Sequence, residues 1–485
     1  MREFILKIKD SAAVRGIKNF LSSDFFPFIT AALSLICYYL GLDLLMIAYI
    51  GITGALIFLL LDDVTPVFTL LLFLGVLISF KNSPSAIRGH SDYYTRPEIF
   101  VPIIIIIVLL VGSMVFRLVT TCVHKKFKLT PVFFGLCALS VAFLLNGANQ
   151  KDYDIKNLMY AGMYTVFFLG MFAVVKDNLI INKKTYEKIS LNFFAFSIVL
   201  LIELIVVYAV NDGVITDGHI DREQLIWGWG KYNYYGVLAV MCLPSVIYLA
   251  GIKKHGYLYT LYSLLIIIAC IFSCSRQNYV CAALIYPVCL VILLWKGKNR
   301  KINAIILGVA ALAAAIVIGV AFDKISAAIK RLSENLLSNG ELDGNGRMSL
   351  WRDCIKNFKS SPIFGIGFTT FLPAAPKTGF QFIPSMYHNT FMQMMGACGI
   401  IGLLAYLVHR VQTAISYFKN ITVERTMVML TVLVILLTSL VDHHIFSLFP
   451  TMVYSCLIAV LVKSEKKESE IPQTEAPTDT AESVG

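Results

Sequence analysis

The sequence has little charge. Only 15% of its 485 residues are charged, whereas 58% are hydrophobic, and the mean hydropathy is +0.75. Soluble domains carry about 25% charged residues, so this composition excludes a soluble enzyme and a disordered protein alike. It predicts an integral membrane protein.

Paired cysteines and internal repeats are also missing. The 11 cysteines form no C-x-x-C pair, which argues against zinc fingers, iron–sulfur clusters and thioredoxin-type redox chemistry. Most of them lie in apolar runs, where cysteine acts as a small hydrophobic residue. A period of 20–50 residues, typical of repeat arrays, is not evident.

What the sequence has instead is a series of long apolar runs. A spanning helix needs roughly 20 mostly apolar residues, and about fourteen segments approach that pattern. We therefore predict an all-α polytopic membrane protein, without a cleavable signal peptide because residues 1–24 are polar. The predicted spans are 25–41, 44–61, 66–80, 99–116, 130–146, 158–175, 191–210, 234–250, 257–273, 279–295, 302–322, 388–408, 427–441 and 446–462.

Basic residues are distributed unevenly between the two sides. Of the 41 Lys and Arg residues, 25 lie in one alternate set of connections and 8 in the opposite short loops. The positive-inside rule then places both termini in the cytoplasm and the long loop 323–387 outside. The net charge of +11 is thus a topology signal and predicts membrane lipids, not nucleic acid, as partners. The polar tail 463–485 is predicted to be disordered.

Two outward-facing stretches contain arginines. Arg276 follows Ser275 in a short turn between apolar segments, and it could bind phosphate through its planar guanidinium or simply close a helical hairpin at the interface. Residues 347–359 have apolar residues at helical spacing and a basic stripe, which predicts an interfacial amphipathic helix with Trp351 in the headgroup zone. Arg347 begins this helix, where free backbone N–H groups favour anions. A helix that only covers the bundle is the alternative.

Two further outward stretches begin spans. His388 and Asn389 precede the span 388–408, and the helix dipole would keep this histidine neutral and available as a base; a capping histidine is the alternative. The aromatic stretch from Trp227 through Lys231 to Asn233 fits an aromatic belt or a sugar-stacking surface.

Two other features carry less weight. Glu203 lies inside a predicted span, where an acid suggests function, but no span offers it a basic partner. Asp442, His443 and His444 could suggest a metal, although adjacent histidines point in different directions and need a more distant ligand. We predict no metal site.

Taken in order, these stretches resemble the O-antigen ligase and Wzy-type O-antigen polymerase superfamily, over the C-terminal half. Family members show an Asn before a span, an SxSR turn, a GR followed by Leu-Trp, a P-x-F/L-G-x-G turn, and an HN leading into a Gly-rich helix. Tyr232 precedes the Asn where family members usually have Pro. The matching positions are Asn233, Ser273 to Arg276, Gly346-Arg347 with Leu350-Trp351, Pro362 with Phe364 to Gly367, and His388-Asn389 with Gly396, Gly399 and Gly402.

The resemblance implies a GT-C-like glycosyltransferase domain over 25–462, with a ligase-like core at 227–408. It implies a metal-independent, inverting enzyme without a cofactor, in the bacterial plasma (inner) membrane, with an extracytoplasmic active site. Its donor would be an undecaprenyl-diphosphate-linked oligosaccharide, and its acceptor a glycan, lipid or protein. A chain-length regulator or a flippase would be its protein partner.

The resemblance also implies roles for single residues. His388 would be the catalytic base, and Arg276 and Arg347 would bind the donor diphosphate. The supporting residues would be Ser275, Asn389, Trp351, Lys231 and Asn233. A multispan transporter or flippase of lipid-linked glycan is the alternative function, and it predicts charged residues lining a cavity at mid-membrane.

Overall fold

The computed structural model describes residues 11–79, 96–124, 128–151, 153–216, 219–221, 224–227, 230–320, 347–368 and 387–463. The predictions for the tail beyond residue 463, for Gly346 and for most of the loop 323–387 lie outside these residues. Between residues 210 and 232, two-residue strands pair in two hairpins: β1 (Ile215–Thr216) with β2 (His219–Ile220), and β3 (Ile226–Trp227) with β4 (Gly230–Lys231).

Helices form nearly all of the described structure. The N-terminal part contains α1 (Ala12–Leu21), α2 (Phe26–Leu40), α3 (Asp43–Leu60), α4 (Val67–Ser79), α5 (Pro97–His124), α6 (Pro131–Leu144), α7 (Lys156–Thr165), a π-helical turn (Val166–Gly170), α8 (Met171–Asn178) and α9 (Lys183–Val210). The C-terminal part contains α10 (Tyr232–Ile252), α11 (Gly256–Phe272), α12 (Arg276–Lys296), α13 (Arg300–Val320), α14 (Arg347–Ser360), α15 (Thr390–Phe418), α16 (Val423–Thr438), a 3₁₀ turn (His444–Phe446) and α17 (Leu448–Val462).

The prediction of a helical, multispan membrane protein is confirmed, but the count of fourteen spans is not. Each predicted span overlaps a described helix. Within the described residues, however, only eight helices are long and apolar enough to cross a membrane, if α7, the π-helical turn and α8 are counted as one. The number is nine if α1 and α2, which are bent by 81° relative to each other, form one span. Several predicted spans correspond to shorter apolar helices, such as α6 and α11.

Helix α10 lies at the centre of the C-terminal part. It packs against α9, α11, α12 and α16. In its most apolar stretch 89% of the residues are buried, compared with 6% for α13 and 11% for α5. A helix that is apolar on all sides and covered by other helices is a core helix, whereas an apolar helix with exposed sides faces lipid. Asn233 lies in the first turn of this enclosed helix.

Helix α15 is broken in its N-terminal half. Gly399 has a left-handed backbone (φ 64°) inside it, and the turn after α14 fills the break. The Ile366 and Gly367 N–H groups donate to the Gly396 and Ala397 carbonyls (both 3.0 Å), and the Ile400 N–H donates to the Pro362 carbonyl at 2.8 Å. The turn thus supplies hydrogen bonds that the helix loses at its break.

Glycine is required on both sides of this junction. Gly365 (φ 69°) and Gly367 (φ 89°) are also left-handed, and a Cβ at Gly365 or at Gly399 would overlap the facing backbone. Glycine adopts this conformation without steric cost. The Gly-rich motif therefore serves to join the turn to α15.

Candidate functional site

His388 immediately precedes α15 and projects toward the loop between α16 and α17. The next residue, Asn389, is the helix N-cap, and its Oδ1 accepts hydrogen bonds from the Phe391 and Met392 N–H groups at 2.9 and 3.1 Å. His388 has a left-handed backbone (φ 49°), and its Nδ1 lies 2.9 Å from Asp442 Oδ1. Its side chain is 38% exposed, so the imidazole is oriented from one side and accessible from the other.

Asp442 is the centre of a group of three histidines. Its Oδ1 also accepts a hydrogen bond from the His443 N–H at 2.9 Å and lies 2.8 Å from His443 Nδ1. His444 Nε2 lies 3.8 Å from the second carboxylate oxygen. Burial raises the pKa of the Asp442 carboxyl, but the hydrogen bonds from His388 and His443 outweigh it, so the pKa lies well below its usual value. Asp442 is therefore a carboxylate.

His444 joins this group to the start of α12. Burial lowers the pKa of His444 to about 4, against the opposing effect of Asp442, so the ring is neutral near pH 7. Its Nε2 lies 2.9 Å from Gln277 Nε2. An amide nitrogen can only donate, so His444 Nε2 accepts and its proton lies on Nδ1. This contact holds the residue next to Arg276 against the Asp442 loop.

Asn233 fixes the turn that carries Arg276. Ser275 Oγ donates to Asn233 Oδ1 at 2.8 Å, and Asn278 Nδ2 donates to the Asn233 carbonyl at 2.9 Å. Gly236, one turn further on, leaves room for Asn278, since a Cβ there would overlap the amide. Arg276 itself is the first residue of α12 and is exposed. Ser275 and Asn233 therefore position this arginine.

Arg347 approaches the same group from α14. The predicted helix from Arg347 is confirmed. It ends at Ser360, just before Ser361-Pro362, because the residue that precedes a proline is disfavoured in a helix. The charge of Arg347 is among the smaller effects that lower the pKa of His444, so this half-buried arginine lies near enough to act on His444 through its charge.

Trp351 and Asn357 attach α14 to the residue before His388. Trp351 Nε1 donates to the Tyr387 carbonyl at 3.0 Å, and Asn357 Nδ2 donates to the Tyr387 hydroxyl at 2.9 Å. The sequence predicts Trp351 in the headgroup zone, whereas its N–H binds the protein. The apolar face of α14 packs on α15, with Cys354 fully buried, so this helix positions His388.

Other predicted residues lie apart or have structural contacts. Asn389 caps α15 through Oδ1, and its Nδ2 donates to the Leu440 carbonyl at 2.7 Å. Glu203 is buried in α9 at 3% exposure, and no contact joins it to the His388 group within the described part of the chain. The side chain of Lys231 is outside the described residues. Both arginines and His388 remain the candidates for chemistry.

Sequence reasoning misses the role of three residues. The sequence indicates Asp442 only as a possible metal ligand, and it links neither Gln277 nor His444 to His388. A hydrophilic Asp-His-His turn between two apolar segments is the signal that could have indicated them, since such a turn on the outer face can contact the His388 turn.

The same residues form a potential metal-binding group. His388 supplies the more distant ligand that the adjacent histidines would need: one donor atom each from His388, Asp442 and His443 lie within 4.8 Å of one another. The prediction of no metal site stays a prediction.

Comparison with known proteins supports the resemblance from one source. Comparison with curated proteins gives no match. Comparison with protein families gives a match over residues 261–407. This range contains Arg276, Arg347 and His388, whereas Asn233 and Asp442 lie outside it. Residues 261–407 match the family model described as O-Antigen ligase, so this part of a multispan membrane chain is similar to that family.

Proposed function

We propose that this membrane glycan-processing enzyme transfers or polymerises an undecaprenyl-diphosphate-linked glycan on the outer face of the bacterial plasma membrane. The observation that carries the proposal is the hydrogen bond between His388 Nδ1 and Asp442 Oδ1 (2.9 Å), next to two arginine-bearing helix N-termini. The helices supply an apolar surface for the polyprenyl chain, as a GT-C-like fold requires.

His388 is the general base. With its Nδ1 proton hydrogen-bonded to the Asp442 carboxylate, its Nε2 has a free lone pair, and the exposed edge of the ring admits an acceptor hydroxyl. Nε2 takes the hydroxyl proton as the acceptor oxygen bonds to the anomeric carbon. Asp442 orients the ring and stabilises the imidazolium that forms, without itself taking the proton.

Arg276 and Arg347 stabilise the leaving diphosphate. As the new glycosidic bond forms, the bond between the anomeric carbon and the phosphate oxygen breaks, and both of its electrons leave with the diphosphate. Guanidinium groups at helix N-termini favour this developing negative charge. One direct displacement inverts the anomeric centre, and the reaction uses no metal and no cofactor.

Of the two reaction types, we favour polymerisation, for a capsule, an O-antigen or a similar exopolysaccharide. A polymerase uses a second lipid-linked repeat as acceptor and produces a ladder of lengths. A ligase instead transfers the glycan to a lipid, protein or wall acceptor in one step. The two reaction types are distinguished by the length of the products that the enzyme forms when lipid-linked repeats are the only substrate.

The test uses proteoliposomes with a lipid-linked repeat. We expect His388→Ala and Arg347→Ala to lower the elongation rate by about 100-fold or more, because a general base and an oxyanion-type donor each contribute that much. Arg352→Ala is the matched control, since Arg352 is an exposed arginine of the same helix, and it retains the wild-type rate. Wild-type elongation by both site variants, or transport of the lipid-linked glycan without elongation, would overturn the proposal.

A further inference from the structure

His388, Asp442 and His443 have the geometry of a three-ligand metal site. His388 Nδ1 and His443 Nδ1 lie 2.9 and 2.8 Å from the same carboxylate oxygen of Asp442, and all three donor atoms are within 4.8 Å of one another. Donors bound at 2.0–2.1 Å in a tetrahedron are about 3.4 Å apart. Both histidine–carboxylate distances would have to open by roughly half an ångström, and the distance between the two histidine nitrogens, at most 4.8 Å, would have to settle near the same value.

The donor types favour a transition metal such as Zn²⁺ over Mg²⁺ and Ca²⁺. Two imidazoles and one carboxylate suit Zn²⁺, whereas Mg²⁺ and Ca²⁺ prefer oxygen ligands alone. His444 is not a fourth ligand, because its Nε2 is bonded to Gln277. The side chains of His388 and His443 are 38% and 23% exposed, so an ion can enter from that side and keep a water in the fourth position.

We propose that His388, Asp442 and His443 form a reversible Zn²⁺ site whose occupation inhibits the enzyme. The inhibition rests on the proposed function, because it acts through the base. A neutral imidazole carries one N–H proton, on either Nδ1 or Nε2. When Zn²⁺ binds Nδ1, that proton must lie on Nε2, and Nε2 can then no longer accept a proton from the acceptor hydroxyl. The ion also takes the Asp442 carboxylate from His388.

Arg347 limits the affinity of the site. Its positive charge reaches His444, and it therefore opposes a second cation beside Asp442. The affinity is accordingly expected to be weaker than that of a structural zinc site with four protein ligands. The bound ion is removed by a chelator, so inhibition is reversible.

Calorimetry of the full chain in nanodiscs tests the site without any activity. We expect one Zn²⁺ per wild-type chain and no comparable binding of Mg²⁺. His443→Asn should weaken Zn²⁺ binding by at least about tenfold, because even partners of metal ligands contribute 10–100-fold, and it keeps the His443 N–H that Asp442 accepts. His255→Asn is the control, since His255 is an exposed histidine at the start of α11.

A thermal-unfolding readout guards against a misfolded variant. Zn²⁺ should raise the unfolding temperature of the wild type and of His255→Asn but not that of a folded His443→Asn. Equal Zn²⁺ binding by the wild type and His443→Asn, or no binding by the wild type, would overturn the site. The cysteines are the same in all three proteins, so they do not account for a difference.

Elongation assays test the inhibition. Saturating Zn²⁺ should lower the wild-type rate at least about tenfold, with recovery after EDTA, and should leave the residual rate of His443→Asn unchanged. Zn²⁺ binding with a full elongation rate would overturn the inhibitory role. If the protein elongates nothing, the function fails, while calorimetry still decides the site.

Discussion

His388 and Cys274 are the non-glycine residues with positive φ (49° and 53°) within the described part of the chain. Both border the candidate site, in the turns that present the candidate base and Arg276. Such a conformation costs about 1 kcal/mol or more for a residue with a Cβ. The cost is offset locally, since Asn389 caps the helix after His388 and Asn233 holds the turn after Cys274. The strain coincides with the residues that the proposal requires.

Asp442→Asn tests the orientation of His388. An amide is neutral and offers its N–H as well as its oxygen, so it neither fixes the Nδ1–H tautomer nor stabilises an imidazolium. We expect the elongation rate to fall by about 100-fold or more, with little change in the amount of folded protein, because the side chains have the same shape.

Asp353→Asn is the control for this substitution. Asp353 lies on α14 in a solvent-exposed pair with Lys356 at 3.5 Å, and such pairs contribute about 1 kcal/mol or less. The elongation rate of Asp353→Asn should equal that of the wild type. A wild-type rate for Asp442→Asn would show that Asp442 is not needed by His388.

His444 gives the fold a defined acid sensitivity. Burial lowers its folded-state pKa to about 4, below the ordinary value of 6.5, so the unfolded chain binds the extra proton first. Stability is then fully present above about pH 6.5 and is lost as the pH falls toward 4, by roughly 3 kcal/mol. The groups that face His444 are Asp442, His443, His388, Arg347, Gln277 and Tyr234.

Thermal unfolding in nanodiscs between pH 7.5 and pH 4.5 measures this effect. His444→Gln lacks the titrating ring, so its unfolding temperature should fall less on acidification than that of the wild type. Equal falls would contradict the assignment to His444.

At the scale of elements, sequence patterns predict helices better than their joints. The periodicity of residues 347–359 predicts α14, and Ser361-Pro362 predicts its end, as observed. The break in α15 was not predictable, because it depends on hydrogen bonds between the backbone of the turn 362–367 and the backbone of α15. The contact of Asp442 with His388 joins residues 54 positions apart, and no local pattern encodes such a pair.

Helix ends also differ from prediction. The predicted span 388–408 stops before Arg410, because a charge normally ends an apolar run. Helix α15 continues to Phe418, and Arg410 lies over the rings of Tyr406 and Tyr454, 4.3 and 4.6 Å from their centroids. Cation–π contacts therefore accommodate a basic residue within the helix, although the apolar pattern of the sequence ends before that residue.

Gly399→Ala tests the joint between α14 and α15. Alanine at a left-handed position costs roughly 1–3 kcal/mol, and its Cβ would overlap the Ile363 carbonyl. We expect a clearly lower unfolding temperature and a loss of elongation, because the turn can no longer dock.

Gly308→Ala is the matched control. Gly308 lies in α13, and nothing lies within 4 Å of the position that its Cβ would take. Alanine there should be neutral or slightly stabilising. Equal stability of Gly399→Ala and Gly308→Ala would show that the joint contributes nothing.

At the scale of the molecule, the O-antigen ligase match does not contain the whole candidate site. Residues 261–407 include both arginines and His388, but Asn233 precedes this range and Asp442 follows it. The enclosed helix α10 holds the Arg276 turn through Asn233, and the loop before α17 supplies the partner of His388. The site thus depends on helices on both sides of the matched segment.

Cysteine labelling tests the predicted orientation. Lys359 at the end of α14 and Lys419 after α15 are exposed, and the distribution of basic residues puts the first outside and the second in the cytoplasm. In a Cys122→Ser background, an impermeant thiol reagent should label Lys359→Cys in intact spheroplasts and Lys419→Cys only after permeabilisation. The opposite pattern would invert the topology and place His388 in the cytoplasm.

The residues on either side of the segment 369–386 are fixed by contacts with other parts of the chain. The Phe368 N–H donates to Asn146 Oδ1 at 3.1 Å, and Tyr387 is held by Trp351 and Asn357. The placement of His388 is thereby independent of the length of the intervening chain. Evolution could therefore lengthen, shorten or exchange this segment to suit a new acceptor while the reacting groups stay in register.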